Sequence, residues 1–304
     1  MSRHAATTKI TGFRRFMAKI PLTPADVERL LANPSPESRA EAATRVGESY
    51  GADLGDAERG IAEEIFRIMV KDAEARVRQA LSESLKDNPA IPHDLALTLA
   101  EDVAEVALPV IEFSDVLTDS DLLDIIARND ETKQVAVASR PMVSETISSA
   151  LVDTENEAVV STLVANDGAE ISRESFDKVI DTLGASEKVQ TALVRRTKVP
   201  VAIAERLLSV VSDNLRDELA ARHEMPGGMA DYLVLHSRER ATVALSQDSS
   251  AEDVGVLVRQ LHGADRLTPS IILRALCVGD MRFFEAALST MADVPLVSAR
   301  KLIY

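Results

Sequence analysis

The chain has 304 residues, with 34 Lys and Arg side chains against 49 Asp and Glu, so its formal net charge is −15. A single cysteine excludes a disulfide framework and any zinc or iron–sulfur site built from several thiolates. No stretch approaches the roughly 20 apolar residues that a membrane-spanning helix needs. The length allows one large domain or two ordinary ones, with enough apolar material for a buried core.

The charge divides the chain into three parts. Residues 1–20 carry five basic side chains and no acidic one, residues 21–184 have a net charge of −20, and residues 185–304 carry 15 of each sign. An acidic body of this size repels phosphate backbones at long range. General duplex binding is therefore disfavoured as the main role.

The basic N-terminal arm, residues 1–20, contains Arg14 and Arg15 followed by Phe16, a superficial match to a twin-arginine export signal. An export signal needs an apolar run next, whereas Pro21 leads into a charged segment that opens a helix. We therefore predict no targeting segment and a cytoplasmic location. The arm interleaves aromatic and basic residues, which suits docking on a partner protein, on a membrane surface or on the acidic body. These three alternatives stay open at this point.

The periodicity of apolar residues predicts an all-α chain. Val254, Leu257, Val258 and Leu261 form one helical stripe, and residues 95–106 keep a similar one. Thr118 to Asp121 has the form of a capping box. The hairpin signal Asp167-Gly168 lies between helical stretches.

The predicted helices also recur in pairs. A short apolar helix is followed by a turn and then by a residue that opens a second helix; the six openers are Pro92, Thr118, Pro141, Ser172, Pro200 and Pro226. A drifting period in the mid-twenties favours an α-solenoid of short HEAT-like helix pairs over a non-repetitive helical bundle. We assign residues 71–246 to the repeats, 21–70 to an N-terminal helical cap and 247–304 to a C-terminal helical cap.

Two sets of sequence segments resemble known families. The run from Val77 through Asn88-Pro89 and Ile91-Pro92 to Ala100 is similar to leucine-rich-variant and HEAT-like repeats. The segments that begin at Ala62, Asp72 and Val106 resemble a family of helical-repeat proteins of unknown function, mainly alphaproteobacterial, most clearly over about 22–135. The resemblance implies a helical-repeat fold in a bacterial cytoplasm, and it supplies no catalytic residue, substrate or cofactor.

Residues that might carry chemistry lack the surroundings that the chemistry needs. Gly47 to Gly51 matches G-x-S-x-G, but it follows a helix predicted over Pro36 to Val46, whereas a hydrolase needs a strand there. The five histidines include no pair at zinc-ligand spacing. Cys277 lies in an apolar helix and is interpreted as a small core residue. No catalytic residue, metal or cofactor is predicted.

A turn of one repeat concentrates the basic residues Arg195, Arg196 and Lys198. Repeat proteins bind partners on aligned surfaces and turns, so these cations, with Arg14 and Arg15, are the candidates for contact with an acidic or phosphorylated segment. The plainer interpretation is a solvated turn paired with acids such as Glu205.

The most favoured function is a non-catalytic scaffold or adaptor that binds a partner protein or peptide. One alternative is a nucleic-acid-binding repeat protein, whose basic face would combine this turn with Arg222, Arg238 and Arg240. Another is an enzyme built on carboxylates within 101–124, which requires at least one of them to be buried with a raised pKa.

Overall fold

The computed structural model describes residues 35–51, 54–222 and 229–304, and within them it is all-helical, as predicted. The N-terminal arm, with Arg14 and Arg15, lies outside these described residues. The described chain forms two compact units. The first consists of residues up to 110 together with 114–116, and the second of residues 111–113 together with 117–304.

The first unit is built from short helices joined by tight turns. They are α1 (Pro36–Ser49), α2 (Asp56–Met69), α3 (Ala75–Leu85), α4 (His93–Ala100) and the first seven residues of α5 (Ala104–Phe113). Helix α1 packs against α3 at Gly47, where an added Cβ would lie 2.0 Å from Ser84 Oγ. Arg78 forms a bidentate ion pair with Asp102 (2.5 and 2.8 Å), which ties the start of α3 to the turn before α5.

The second unit contains twelve described helices besides the end of α5. They are α6 (Asp119–Ala127), α7 (Glu131–Ala138), α8 (Glu145–Asp153), α9 (Glu157–Ala165), α10 (Arg173–Leu183), α11 (Glu187–Arg195), α12 (Val201–Arg222), α13 (Met229–Gln247), α14 (Ala251–Gly263), α15 (Pro269–Cys277), α16 (Met281–Met291) and α17 (Leu296–Ile303). Helices two positions apart pack side by side. One row runs α6, α8, α10, α12, α14, α16, and a second runs α7, α9, α11.

Helix N-termini link neighbours within each row. The N-cap Ser144 of α8 donates to Asp119, the first residue of α6 (2.6 Å). In the other row, the N-cap Asn156 of α9 donates to Glu131, the first residue of α7 (2.8 Å). The N-cap Ser186 of α11 likewise donates to Glu157 at the start of α9 (2.6 Å). Each cap therefore satisfies its own helix and also fixes the register to the helix two positions earlier.

Local predictions succeed at several helix starts. Thr118 and Asp121 form the predicted capping box of α6, and the predicted stripe of α14 is buried at all four positions. The predicted helix start at Pro36 is confirmed, although α1 continues to Ser49.

Two predictions about individual helices are wrong. The stripe over 95–106 is split, because α4 ends at Ala100 and the exposed Val103 is the N-cap of α5. The paired pattern predicts two short helices between the openers Pro200 and Pro226, but α12 runs unbroken for 22 residues there.

Candidate functional site

The predicted basic turn lies between α11 and α12, where three cations occupy different environments. Arg195 is the last residue of α11 and is exposed, Arg196 is the C-cap and is partly buried, and Lys198 is exposed. The turn therefore places two of the three cations at the surface.

The side chain of Arg196 is engaged in hydrogen bonds within the second unit. Its guanidinium donates to the carbonyl oxygens of Val164 (3.2 Å), Asn166 (2.6 Å) and Ala169 (2.6 Å), and its Cζ lies 5.7 Å from the ring centroid of Phe176. Burial lowers the pKa of this guanidinium. The side chain fixes the loop between α9 and α10 to the turn that follows α11.

The same type of contact, a side chain just after one helix that donates to carbonyl groups near the end of an earlier helix, occurs at two preceding turns. Asn166, just after α9, donates to the carbonyls of Ala138 (2.9 Å) and Arg140 (2.7 Å) near the end of α7. Arg140, just after α7, in turn donates to the carbonyl of Ile111 near the end of α5. Because carbonyls at helix C-termini have no partner within their helix, a donor from the next turn of the row satisfies them. Arg196 is thus the third member of a structural series.

Beside Arg196 an open recess of about 470 Å³ is lined by Ile171, Phe176, Arg196, Thr197, Lys198, Val199 and Pro200. Four of its lining residues, Ile171, Phe176, Val199 and Pro200, are apolar, and Lys198 is an exposed cation among the others. Asp167 accepts hydrogen bonds from the Thr197 backbone N–H (3.0 Å) and hydroxyl (2.6 Å), which lower its pKa. Nearby Val194 is 72% exposed. The recess therefore combines apolar lining residues with at least one surface cation, and a carboxylate is bonded to its lining residue Thr197.

The nucleic-acid alternative requires several cations on one face. Arg196 has the internal role described above, and Arg238 lies 3.7 Å from Asp213 and 3.5 Å from the Ser209 hydroxyl. Arg240 is exposed, while the side chain of Arg222 lies outside the described set. Two of the cations that this face needs are therefore engaged with the protein itself.

Sequence patterns missed a charged cluster that joins α12, α13, the α14–α15 loop and α15. Glu205 of α12 is fully buried and pairs with Arg266, which corrects the suggestion that Glu205 serves the basic turn. Buried Glu239 accepts from Thr268 (2.7 Å) and Ser270 (2.8 Å). Loss of hydration raises the pKa of Glu205, although Arg266 opposes this effect. Such partners, 29 to 61 residues apart, carry no local signal.

A cavity of about 180 Å³ adjoins this cluster and is lined by Leu235, Arg238, Glu239, Thr242, Leu261, Asp265, Arg266, Thr268 and Ile271. Its lining holds two guanidinium groups and two carboxylates, so the opposite charges balance. The carboxylate oxygens of Glu239 are already hydrogen-bonded to hydroxyl groups. The arrangement connects four segments of the chain by ionic and hydrogen-bonded contacts.

The carboxylates proposed for acid–base chemistry have ordinary surroundings. Glu101, Glu105 and Asp124 are exposed, Asp121 accepts from Thr118 in the capping box (2.7 Å), and Asp102 pairs with Arg78. These residues do not include the buried, unpaired carboxylate that general acid catalysis needs. Across the described ranges no group of three or more His, Cys, Asp or Glu side chains is placed to hold a metal ion.

The structure also tests the predictions made for Ser49 and Cys277. Ser49 of the G-x-S-x-G match ends α1, so the residues before it are helical, as expected. Cys277 is exposed at the end of α15, so its interpretation as a core residue is wrong. Its apolar neighbours Leu273 and Leu276 are exposed as well.

The described residues define an all-helical protein in whose second unit helices two positions apart pack in rows, three pairs of them linked through an N-cap side chain. Residues 106–304 match the family DUF2336, described as an uncharacterised protein conserved in bacteria. The match covers about two thirds of the chain, which therefore belongs to this bacterial family. It lies mostly beyond the segment, 22–135, in which the sequence resemblance is clearest. No curated protein and no solved structure matches the chain.

A search of the described helices for membrane-spanning segments finds none with the length and apolar character to cross a bilayer.

Proposed function

We propose that this protein is a non-catalytic cytoplasmic scaffold or adaptor that binds a partner protein through an acidic peptide segment. The observation that supports this most directly is the open recess between α10 and α12, with its apolar lining and the exposed cations Lys198 and Arg195 beside it. A recess of this volume accepts one or two large side chains of an extended segment.

We further propose that α6 to α12 form an α-solenoid of HEAT-like helix pairs. The N-cap bonds from Ser144, Asn156 and Ser186 reach back 25, 25 and 29 residues, close to the period expected from sequence. Repeated stacking of this kind exposes successive turns along one edge. The recess belongs to one such turn, at the start of α12.

The proposed recognition divides between apolar and charged contacts. An apolar side chain of the partner would pack against Ile171, Val199 and Pro200, which line the recess. Carboxylate or phosphate groups beside it would pair with Lys198 and Arg195. Arg196 is left out of the contact, because its guanidinium already holds three carbonyl groups.

The test is a charge reversal with a matched control. Arg195→Glu combined with Lys198→Glu changes the proposed contact, while Arg259→Glu combined with Lys301→Glu changes two other exposed cations of the same unit by the same net charge. Each full-length chain is used as bait in a lysate of an alphaproteobacterium, and the proteins recovered are quantified by mass spectrometry.

We expect a protein that binds the wild type and the control equally and loses at least tenfold of its recovery with the double reversal at 195 and 198. Equal recovery with all three baits would contradict the proposed contact. Recovery of nucleic acid in place of a protein, lost at moderate salt, would favour the nucleic-acid alternative.

A further inference from the structure

Helices α13 and α15 expose an unusual amount of apolar surface. Besides Leu235, which lines the 180 Å³ cavity, six large apolar side chains on these helices, or just after α15, are between 39% and 58% exposed. Cys277 beside them is exposed too. We call these residues the C-terminal apolar surface; they are Met229, Tyr232 and Leu233 of α13, and Leu273, Leu276, Cys277 and Val278 at α15.

Two contacts between α13 and α15 place the two halves of this surface side by side. Ser270 Oγ of α15 donates to Glu239 of α13 (2.8 Å), and one turn later Arg274 lies 2.9 Å from His236 Nδ1. As α15 advances, its partner on α13 moves backwards, so the helices are antiparallel. The same register brings residues 277 and 278 opposite residues 232 and 233. The exposed apolar side chains of α13 and α15 therefore lie at matching levels on two adjacent helices.

The size of this surface indicates a protein contact. A half-exposed side chain of this size leaves on the order of 100 Å² accessible, so six of them expose roughly 600 Å². The largest contiguous apolar patch on a typical monomeric protein is about 300–600 Å² and is often functional, so this surface lies at the upper end of that range. A stable interface covers about 800 Å² on each partner. The surface with a polar rim that includes His236 and Arg240 approaches that area.

The distribution of charge along the chain favours a second copy of the same chain as the partner that covers the C-terminal apolar surface. Residues 229–304 carry nine acidic and eight basic side chains, so the rest of the chain holds −14 of the net −15. Two copies repel each other over most of their surfaces, and they do so least where this nearly neutral segment faces itself. An antiparallel helix pair is also self-complementary about a two-fold axis, because two such pairs pack as a four-helix bundle.

We propose that the protein forms a homodimer through the C-terminal apolar surface, with α13 and α15 of each copy facing those of the other. The contact buries Tyr232 and Leu273 of both copies and encloses Cys277. A dimer of this kind presents two copies of the recess beside Lys198, which raises avidity for a partner that is itself repeated.

The test uses sedimentation velocity of the full-length chain from about 1 µM to about 100 µM, the range in which an interface of modest area dissociates. Leu273→Lys and Val278→Lys each place a charge in the proposed interface. Val297→Lys places the same charge at an exposed apolar residue of α17, outside this surface. Circular dichroism checks that each variant keeps its helix content, which is expected because all three side chains are exposed.

The single cysteine supplies a second readout on the unmodified sequence. The rate at which the Cys277 thiol reacts with a maleimide is measured over the same concentrations. In a dimer of the proposed kind, this rate falls several-fold as the concentration rises, in parallel with the dimer fraction.

We expect a dimer for the wild type and for Val297→Lys, and at least a tenfold weaker dimer for Leu273→Lys and Val278→Lys. A chain that stays monomeric at every concentration overturns the proposal. A dimer that persists in both Lys variants, with Cys277 reacting at a constant rate, overturns it equally, since the interface would then lie elsewhere. None of these outcomes bears on the recess, whose charge reversal is read out by partner recovery.

Discussion

Arg266, in the loop after α14, pairs with Glu205 of α12, a residue 61 positions earlier whose carboxylate is fully buried. Breaking a buried ion pair by removing one partner costs more than the pair contributes, because the remaining charge stays desolvated. This contact therefore controls how α12 and α14 are held together in the second unit. It also makes the stability of that unit sensitive to pH.

The first prediction concerns this pair. Arg266→Met leaves Glu205 buried without its partner, so the free energy of unfolding at pH 7 should fall by about 3–5 kcal/mol. At pH 5 the loss should be smaller, because burial raises the pKa of the Glu205 carboxyl and a lower pH favours its neutral form. The control is Glu205→Gln combined with Arg266→Met, which should recover most of the stability. Urea unfolding followed by circular dichroism measures all three; an equal loss at both pH values would contradict the account.

The raised pKa of Glu205 makes a second prediction, with a definite sign. The folded state binds this proton more tightly than the unfolded state, whose carboxyl keeps a pKa near 4.5. The contribution of Glu205 to stability is therefore largest below that value and decreases as the pH rises through the folded pKa. Glu205→Gln should remove this decrease. Unfolding free energies measured at half-unit steps of pH for both chains test the difference, and parallel pH profiles would refute it.

Close packing at Gly47 makes a third prediction. An alanine Cβ at this position would lie 2.0 Å from Ser84 Oγ, so Gly47→Ala should cost about 1–3 kcal/mol through overpacking of α1 against α3. Gly60 of α2 has no heavy atom within 4 Å of the same added carbon. Gly60→Ala should therefore be neutral or stabilising by up to about 1 kcal/mol. Thermal unfolding of the two variants gives the comparison, and similar behaviour would show that α1 and α3 do not approach so closely.

The two adjacent arginines of the basic turn should behave oppositely, which is the fourth prediction. Arg196→Ala removes charge-assisted hydrogen bonds to the carbonyl groups of Val164, Asn166 and Ala169, and a fourth to the carbonyl of Lys198 (3.2 Å). The unfolding free energy should fall by about 2–3 kcal/mol. Arg195→Ala should change stability by less than about 0.5 kcal/mol, because its side chain is exposed. After a partner has been identified, Arg195→Ala should reduce its recovery more than Arg196→Ala does. A loss of stability in Arg195→Ala but not in Arg196→Ala would contradict the structural role of Arg196 and the surface role of Arg195.

Asp167 gives a fifth prediction, because it is bonded to Thr197 of the recess and its negative charge would oppose the proposed acidic ligand. Asp167→Asn keeps an oxygen that can accept from Thr197 and removes the negative charge beside Lys198. Affinity for an acidic partner should rise about three- to tenfold, in proportion to the relief of like-charge repulsion. Titration of the recovered partner against both chains measures this change. A decrease would show that Asp167 itself contacts the partner.

Features that depend on nearby residues could be predicted from the sequence. The capping box of α6 and the start of α1 are set within four residues, and they lie where the patterns place them. The apolar stripe of α14 is likewise a local pattern, and it is buried as expected. The all-α fold follows from such signals.

Features that depend on distant partners could not be predicted. The pairing of Glu205 with Arg266 and the carbonyl contacts of Arg196 join residues 27 or more positions apart. Cys277 was misassigned because an apolar helix indicates a buried face, whereas α15 also carries exposed apolar residues. The unbroken length of α12 could not be predicted because the spacing of the openers Pro200 and Pro226 is typical of a helix pair.

The most direct test of the adaptor account is photo-crosslinking in the native bacterium from position 194, next to the recess. Val194 of α11 is replaced by a photoreactive phenylalanine analogue. The control carries the same replacement at exposed Thr182, near the C-terminal end of α10, whereas the recess lies near the start of that helix. We predict that position 194 captures a discrete protein partner that position 182 does not, and that Arg195→Glu with Lys198→Glu abolishes the product. Identical products from both positions, or no product from 194, would contradict the proposed binding site.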